Sequence, residues 1–162
     1  MKILIAVDGS APSLQAVRHA LALVEQGLRA SFVVANVQEP ATLYEVVTAQ
    51  DPEVLREVRA AAGADLIAPA EALLNAARVD YESLVASGDP AHSLVELAED
   101  NGCDAIFVGA WGTGDLTAAL LGSVSHEVLK ASHLPVTVVR LAEAADEPAA
   151  EDSAEGAADA TD

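Results

Sequence analysis

The sequence predicts an α/β domain: an open five-stranded parallel sheet with helices on both faces. Two observations carry this. Short aliphatic runs alternate along the whole chain with segments of helical apolar spacing, and the connections are too long for hairpins, which is the pattern of βαβ units. The apolar share is 52% while only five residues are aromatic (Phe32, Tyr44, Tyr81, Phe107 and Trp111). The core must therefore be aliphatic, as suits helices packed closely on a sheet buried on both faces. With 162 residues the chain is the size of one domain and can bury about 70% of its unfolded surface.

Taken in order, Ile3–Val7 reads as a buried strand ending at Asp8-Gly9. Ser10 is an N-cap candidate, and Leu14, Val17, Leu21 and Val24 recur at helical spacing until Gly27. Ser31–Val37 is a second strand stopped by Pro40, and residues 41–50 read equally well as a loop. Asp51-Pro52 places a carboxylate cap before a first-turn proline. The helix that follows runs through Val54, Val58 and Ala61, is expected to kink or split around Gly63 and Pro69, and ends near Arg78. Val79–Ser87 is the third strand. Gly88-Asp89-Pro90 repeats the cap signal, Leu94, Leu97 and Ala98 form an inward stripe, and Asn101-Gly102 stops that helix. Asp104–Val108 is the fourth strand, opening into a glycine-rich stretch from Gly109 to Gly122. A last helix carries Val124, Val128 and Leu129, and Pro135–Val139 is the fifth strand. Residues 1–141 form the expected domain. Residues 142–162 lack any aliphatic stripe and are expected to be an acidic, disordered tail.

Charge excludes several functions. Twenty-six acids oppose eight bases, for a net charge of −18, and only Lys2 and Lys130 are lysines. Eight acids follow Leu141, so residues 1–141 hold 26 − 8 = 18 acids against all 8 bases, a balance of −10. Nucleic acid and anionic membrane surfaces are disfavoured partners, because phosphate contacts require clustered Lys and Arg. An acid-rich, lysine-poor composition fits a salt-adapted (halophilic) protein whose self-repulsion is relieved by screening, although it also serves ordinary solubility. One cysteine, Cys103, rules out an internal disulfide. The short apolar start is neither a signal peptide nor a membrane span, and the expected location is the cytoplasm.

In an open parallel sheet, ligands bind beyond the carboxyl ends of the strands. The loop after strand one, Asp8-Gly9-Ser10, lacks both the P-loop and the dinucleotide pattern. Only the fourth loop is glycine-rich: Gly109-Ala110-Trp111-Gly112, nine residues, then Gly122-Ser123-Val124-Ser125 at the start of a helix. Glycines let a backbone approach an anion, and the helix adds its positive end and the Ser123 hydroxyl. Together these describe a phosphate cradle without lysine.

The spacing G-x2-G-x9-G-S resembles the ATP-binding signature of the universal stress protein family. So do V-D-G-S after strand one, G-D-P-A after strand three and L-L-G-S-V-S-H-E-V-L in the last helix, so the resemblance spans about residues 1–140. It implies an adenine nucleotide alpha hydrolase-like fold with strand order 3-2-1-4-5. It also implies a nucleotide site: Asp8 near the ribose and adenine, Val37 against the adenine, and Gly109, Gly112, Gly122, Ser123, Val124 and Ser125 around ribose and phosphates. The implied ligand is ATP or AMP, with or without Mg. A homodimer is implied through the last edge strand, Val136, Thr137, Val138 and Val139. Trp111 and Asp115 depart from the family's usual residues, and no Lys or Arg lies between Arg78 and Lys130.

Asp8 can instead anchor its turn, Ser10 can simply cap a helix, and Val37 can be core. His19, His92, His126 and His133 follow no metal-ligand spacing and read as solvent-facing, and Cys103 reads as a small buried side chain. Trp111 can stack on a ligand or cover the loop. The expected function is a regulatory stress-response protein that binds an adenine nucleotide, with no catalytic residue to name. A nucleotide-free scaffold and a slow ATP hydrolase or autokinase, phosphorylating Ser123 or Ser125, are the competing readings.

Overall fold

The computed structural model describes residues 1–40, 52–110 and 121–141. Five parallel strands form one sheet: β1 (Lys2–Ala6), β2 (Ser31–Gln38), β3 (Tyr81–Ser87), β4 (Ala105–Gly109) and β5 (Val136–Val139). Their order is β3-β2-β1-β4-β5. The connecting helices are α1 (Ala11–Glu25), α2 (Pro52–Ala77), α3 (Pro90–Asp100) and α4 (Ser123–Ala131).

Alternation along the strands divides the core in two. Ile3, Ile5, Phe32, Val34 and Phe107 pack with Ala16, Val17 and Ala20 of α1 and with Ile67, Ala70 and Leu74 of α2. Leu4, Val33, Ala35, Ile106 and Val108 pack on the other face with Leu94, Val95 and Ala98 of α3 and Val128 of α4. Neighbouring strand residues thus serve opposite cores, which is why the strands read as continuous aliphatic runs. Each fully buried Ile, Leu or Phe contributes about 1.5–3 kcal/mol.

α2 is not split at Gly63 or Pro69. It runs unbroken from Pro52 to Ala77 with Pro69 inside it. Proline removes one backbone bond, but Ile67, Ala70 and Leu74 on either side are all but fully buried, and that packing outweighs the loss. Gly63 is the other half of the explanation. A Cβ there would lie 2.5 Å from Val85 Cγ1, so the helix can approach the sheet only with glycine at this point. Val54 and Val58, at the start of the same helix, are exposed by 54% and 59%. Val79 also departs from its expectation. It closes α2 rather than opening β3: Arg78 turns left-handed (φ 56°) and the Val79 amide donates to the Leu74 carbonyl at 3.3 Å.

The other punctuation behaves as the sequence implies. Ser10 accepts from the Ser13 amide at 3.3 Å, and Asp89 accepts from the His92 amide at 2.9 Å. Cys103 is buried. His19 is an exception among the histidines, half-buried with its ring 5.9 Å from that of Phe107. Among the described residues, no helix is long and apolar enough to cross a membrane. Residues 41–51, Trp111, Gly112, Asp115 and the tail from 142 lie outside the described residues.

Candidate functional site

Parallel connections put every helix start at the carboxyl end of the sheet, and there a cavity of about 250 Å3 opens between β1 and β4. That is close to the lower end of small-molecule sites, roughly 300–1,000 Å3. Asp8, Val37, Gly109, Gly122, Ser123, Val124 and Ser125 all line it. Of the residues expected at the site, only Gly112 is outside the described part.

Three helix starts reach this cavity, represented by Ser10 and Ser13 of α1, Pro90 and Leu94 of α3, and Ser123–Ser125 of α4. Two are already capped by their own side chains, Ser10 and Asp89. The third has Gly122 as its cap residue and, among the described residues, no side-chain cap hydrogen bond. A helix start leaves backbone N–H groups without intrahelical partners and carries about half a positive charge. Among the described residues, α4 is therefore the helix start with room for an external anion.

Asp8 has a structural duty. Its Oδ1 accepts from the Ser10 amide at 2.9 Å, forming the turn that launches α1. Partial burial pushes its carboxyl up, but hydrogen bonds from Ser10 and Ser13 outweigh this and hold it below the usual 3.8. It is thus a charged acceptor at neutral pH. Gly109 likewise owes its identity to packing. A Cβ would sit 2.4 Å from the Pro12 carbonyl carbon and 2.6 Å from the Ser13 amide, so α1 fills the space a side chain would need. The Gly109 carbonyl accepts from Ser125 Oγ at 2.8 Å, which ties the first turn of α4 to the end of β4. Ser125 is buried, whereas Ser123 is exposed.

Sequence reasoning missed Asn36, Ser13 and Glu39, which also line the cavity. Asn36 is 3% exposed, donates from Nδ2 to the Val7 carbonyl at 2.7 Å, and accepts from Gln38 Nε2. The available signal was a lone amide inside an aliphatic strand, since a buried polar group requires a partner. Ser13 is buried and donates to the Ser10 carbonyl at 2.9 Å. The Glu39 carbonyl accepts from Arg59 of α2. Among the described lining residues there are two carboxylates, Asp8 and Glu39, and no Lys, Arg or His. The described residues also contain no group of three or more His, Cys, Asp or Glu able to hold a metal.

Strand order, helix placement and the crevice at the β1/β4 switch point define an adenine nucleotide alpha hydrolase-like domain. A model of the universal stress protein family matches residues 1–140, and the chain belongs to that family. Universal stress protein YxiE of Bacillus subtilis is 31% identical over 147 residues, covering 86% of this chain and 98% of its own. The structure of MJ0577 from Methanocaldococcus jannaschii superposes with a TM-score of 0.70 at 26% identity, covering 87% of this chain and 96% of that one. A universal stress protein solved in complex with cAMP gives a TM-score of 0.57 at 29% identity, covering 86% and 95%.

Proposed function

We propose that this chain is a regulatory stress-response protein of the cytoplasm that binds ATP or AMP in the β1/β4 crevice. The observation that carries the reading is the uncapped start of α4, whose residues Ser123–Ser125 line the same cavity as Asp8 and Val37. The two ends of the cavity are chemically opposed. The α4 end suits phosphate. At the β1 and β2 end, Asp8 accepts hydrogen bonds from ribose hydroxyls or the adenine amine, with Val37 against the ring. The relative solved with cAMP supports an adenine nucleotide at such a site. Mg would enter with the phosphates of ATP. Ser123, being exposed, is the residue to examine for autophosphorylation.

The working unit is a homodimer through β5. The two sheet edges are unlike: β3 carries the charged Glu82, whereas β5 offers only Val136, Thr137, Val138 and Val139. An uncharged aliphatic edge favours strand pairing with a second copy. Residues 142–162 are an acidic appendage to the folded unit, residues 1–141.

Calorimetric titration of the full-length chain with Mg-ATP and with AMP, at high potassium chloride, tests the ligand. Saturable one-site binding is expected. Absence of heat with either nucleotide, together with no nucleotide co-purifying, would leave a scaffold as the function.

A further inference from the structure

We infer that the crevice selects an adenosine monophosphate over ATP whenever no divalent cation accompanies the nucleotide. This rests on the adenine-nucleotide reading above and concerns how much negative charge that site accepts.

Two acidic residues, Asp8 and Glu39, line the cavity beside the partial charge of one helix start. That start offers about half a positive charge, whatever the length of the phosphate chain. The sequence contains no Lys or Arg between Arg78 and Lys130. Neither β4 nor the glycine loop nor the first turn of α4 can therefore supply a lysine or arginine side chain. Lys130 lies in the last turn of α4, 3.6 Å from Glu127. Arg59 and Arg140 stand at the same end of the sheet but outside the cavity lining, and Arg59 donates to the Glu39 carbonyl. The whole chain adds a field of net charge −18. The first phosphate thus meets backbone N–H groups, while each further one adds charge that no described lining residue neutralises.

One unit charge about 8 Å from another, at an effective dielectric of about 40, costs about fivefold in affinity. AMP carries about two negative charges and ATP about four, so without metal ATP is expected to bind at least tenfold more weakly. Salt provides a second signature. A basic phosphate clamp weakens with salt. Repulsion in an acidic site is screened instead, so here the affinity for ATP should rise, and rise more than that for AMP.

The test is calorimetry of the full-length chain at pH 8 in EDTA, with adenosine, AMP and ATP as titrants, at 0.2 M and 1 M potassium chloride. Far-UV circular dichroism checks that the chain is folded at both salts. Expected results are tightest binding for AMP, an AMP-to-ATP gap that narrows at 1 M, and a Glu39→Gln variant whose AMP-to-ATP gap narrows by at least about fivefold. ATP binding as tightly as AMP at 0.2 M, or weakening with salt, would overturn the inference. An unchanged ratio in Glu39→Gln would remove Glu39 from it. If adenosine matches AMP, the α4 end takes no phosphate and the inference fails. If no titrant binds under any condition, the adenine-nucleotide reading itself has failed, which is a separate result.

Discussion

Replacing Asn36 by alanine deletes the donor to the Val7 carbonyl, a 2.7 Å bond in a side chain only 3% exposed. The Val7 carbonyl loses its amide partner beside Asp8, and Gln38 loses the acceptor for its Nε2. Leaving a buried polar group unpaired costs about 1–3 kcal/mol, and we take about 2 kcal/mol here. Unfolding entropy of about 2.1 cal/mol/K per residue, over the folded domain, converts this into a fall in Tm of about 7 °C. Gln38→Ala is the control. It removes a half-buried partner and leaves the bond to Val7 in place, so it should cost less than about 1 kcal/mol. Thermal unfolding followed by circular dichroism, with urea denaturation as a second measure, gives both values. If Asn36→Ala lies within about 0.5 kcal/mol of the parent, or no lower than Gln38→Ala, then the bond to Val7 is not what holds the ends of β1 and β2 together.

Two further outcomes follow from the same end of the sheet. The Asp8 carboxyl is held below 3.8 in the folded chain, so its stabilising contribution is complete above that pH and is lost as the pH falls through its folded value. Urea titrations should therefore show the stability difference between the parent and Asp8→Asn shrinking below pH 3.8; a difference that grows with acidity would contradict the direction of the shift. Gly109→Ala forces a methyl to within 2.6 Å of the α1 backbone, and overpacking of this kind costs about 1–3 kcal/mol, readable as a lower Tm in the absence of any ligand. An alanine variant with an unchanged Tm would return Gly109 to a purely ligand-related explanation.

Asn36, Gly109 and Pro69 mark where reading the chain stops being enough. The aliphatic runs, the Ser10 and Asp89 caps, and the glycine spacing from Gly109 to Gly122 were legible because they are local: periodicity and capping depend on residues a few positions apart. They fixed five strands, a parallel sheet and the loop that carries the site. The resemblance carried by those motifs supplied the strand order. The amide of Asn36 was not legible as a site residue, because its partner, the Val7 carbonyl, lies 29 positions away and meets it only when β1 and β2 pair. Gly109 reads as a ligand glycine in sequence, yet its Cβ position is filled by α1, which only packing reveals. Pro69 reads as a break, and the burial of Ile67, Ala70 and Leu74 overrides it. Likewise, which of three helix starts is left uncapped beside the cavity depends on where the helices converge. The sequence by itself determined the elements and their alternation, since short-range spacing encodes them. The tertiary structure decided which polar groups are spent on the fold and which remain to meet a ligand, since those pairings form only between segments distant in the chain.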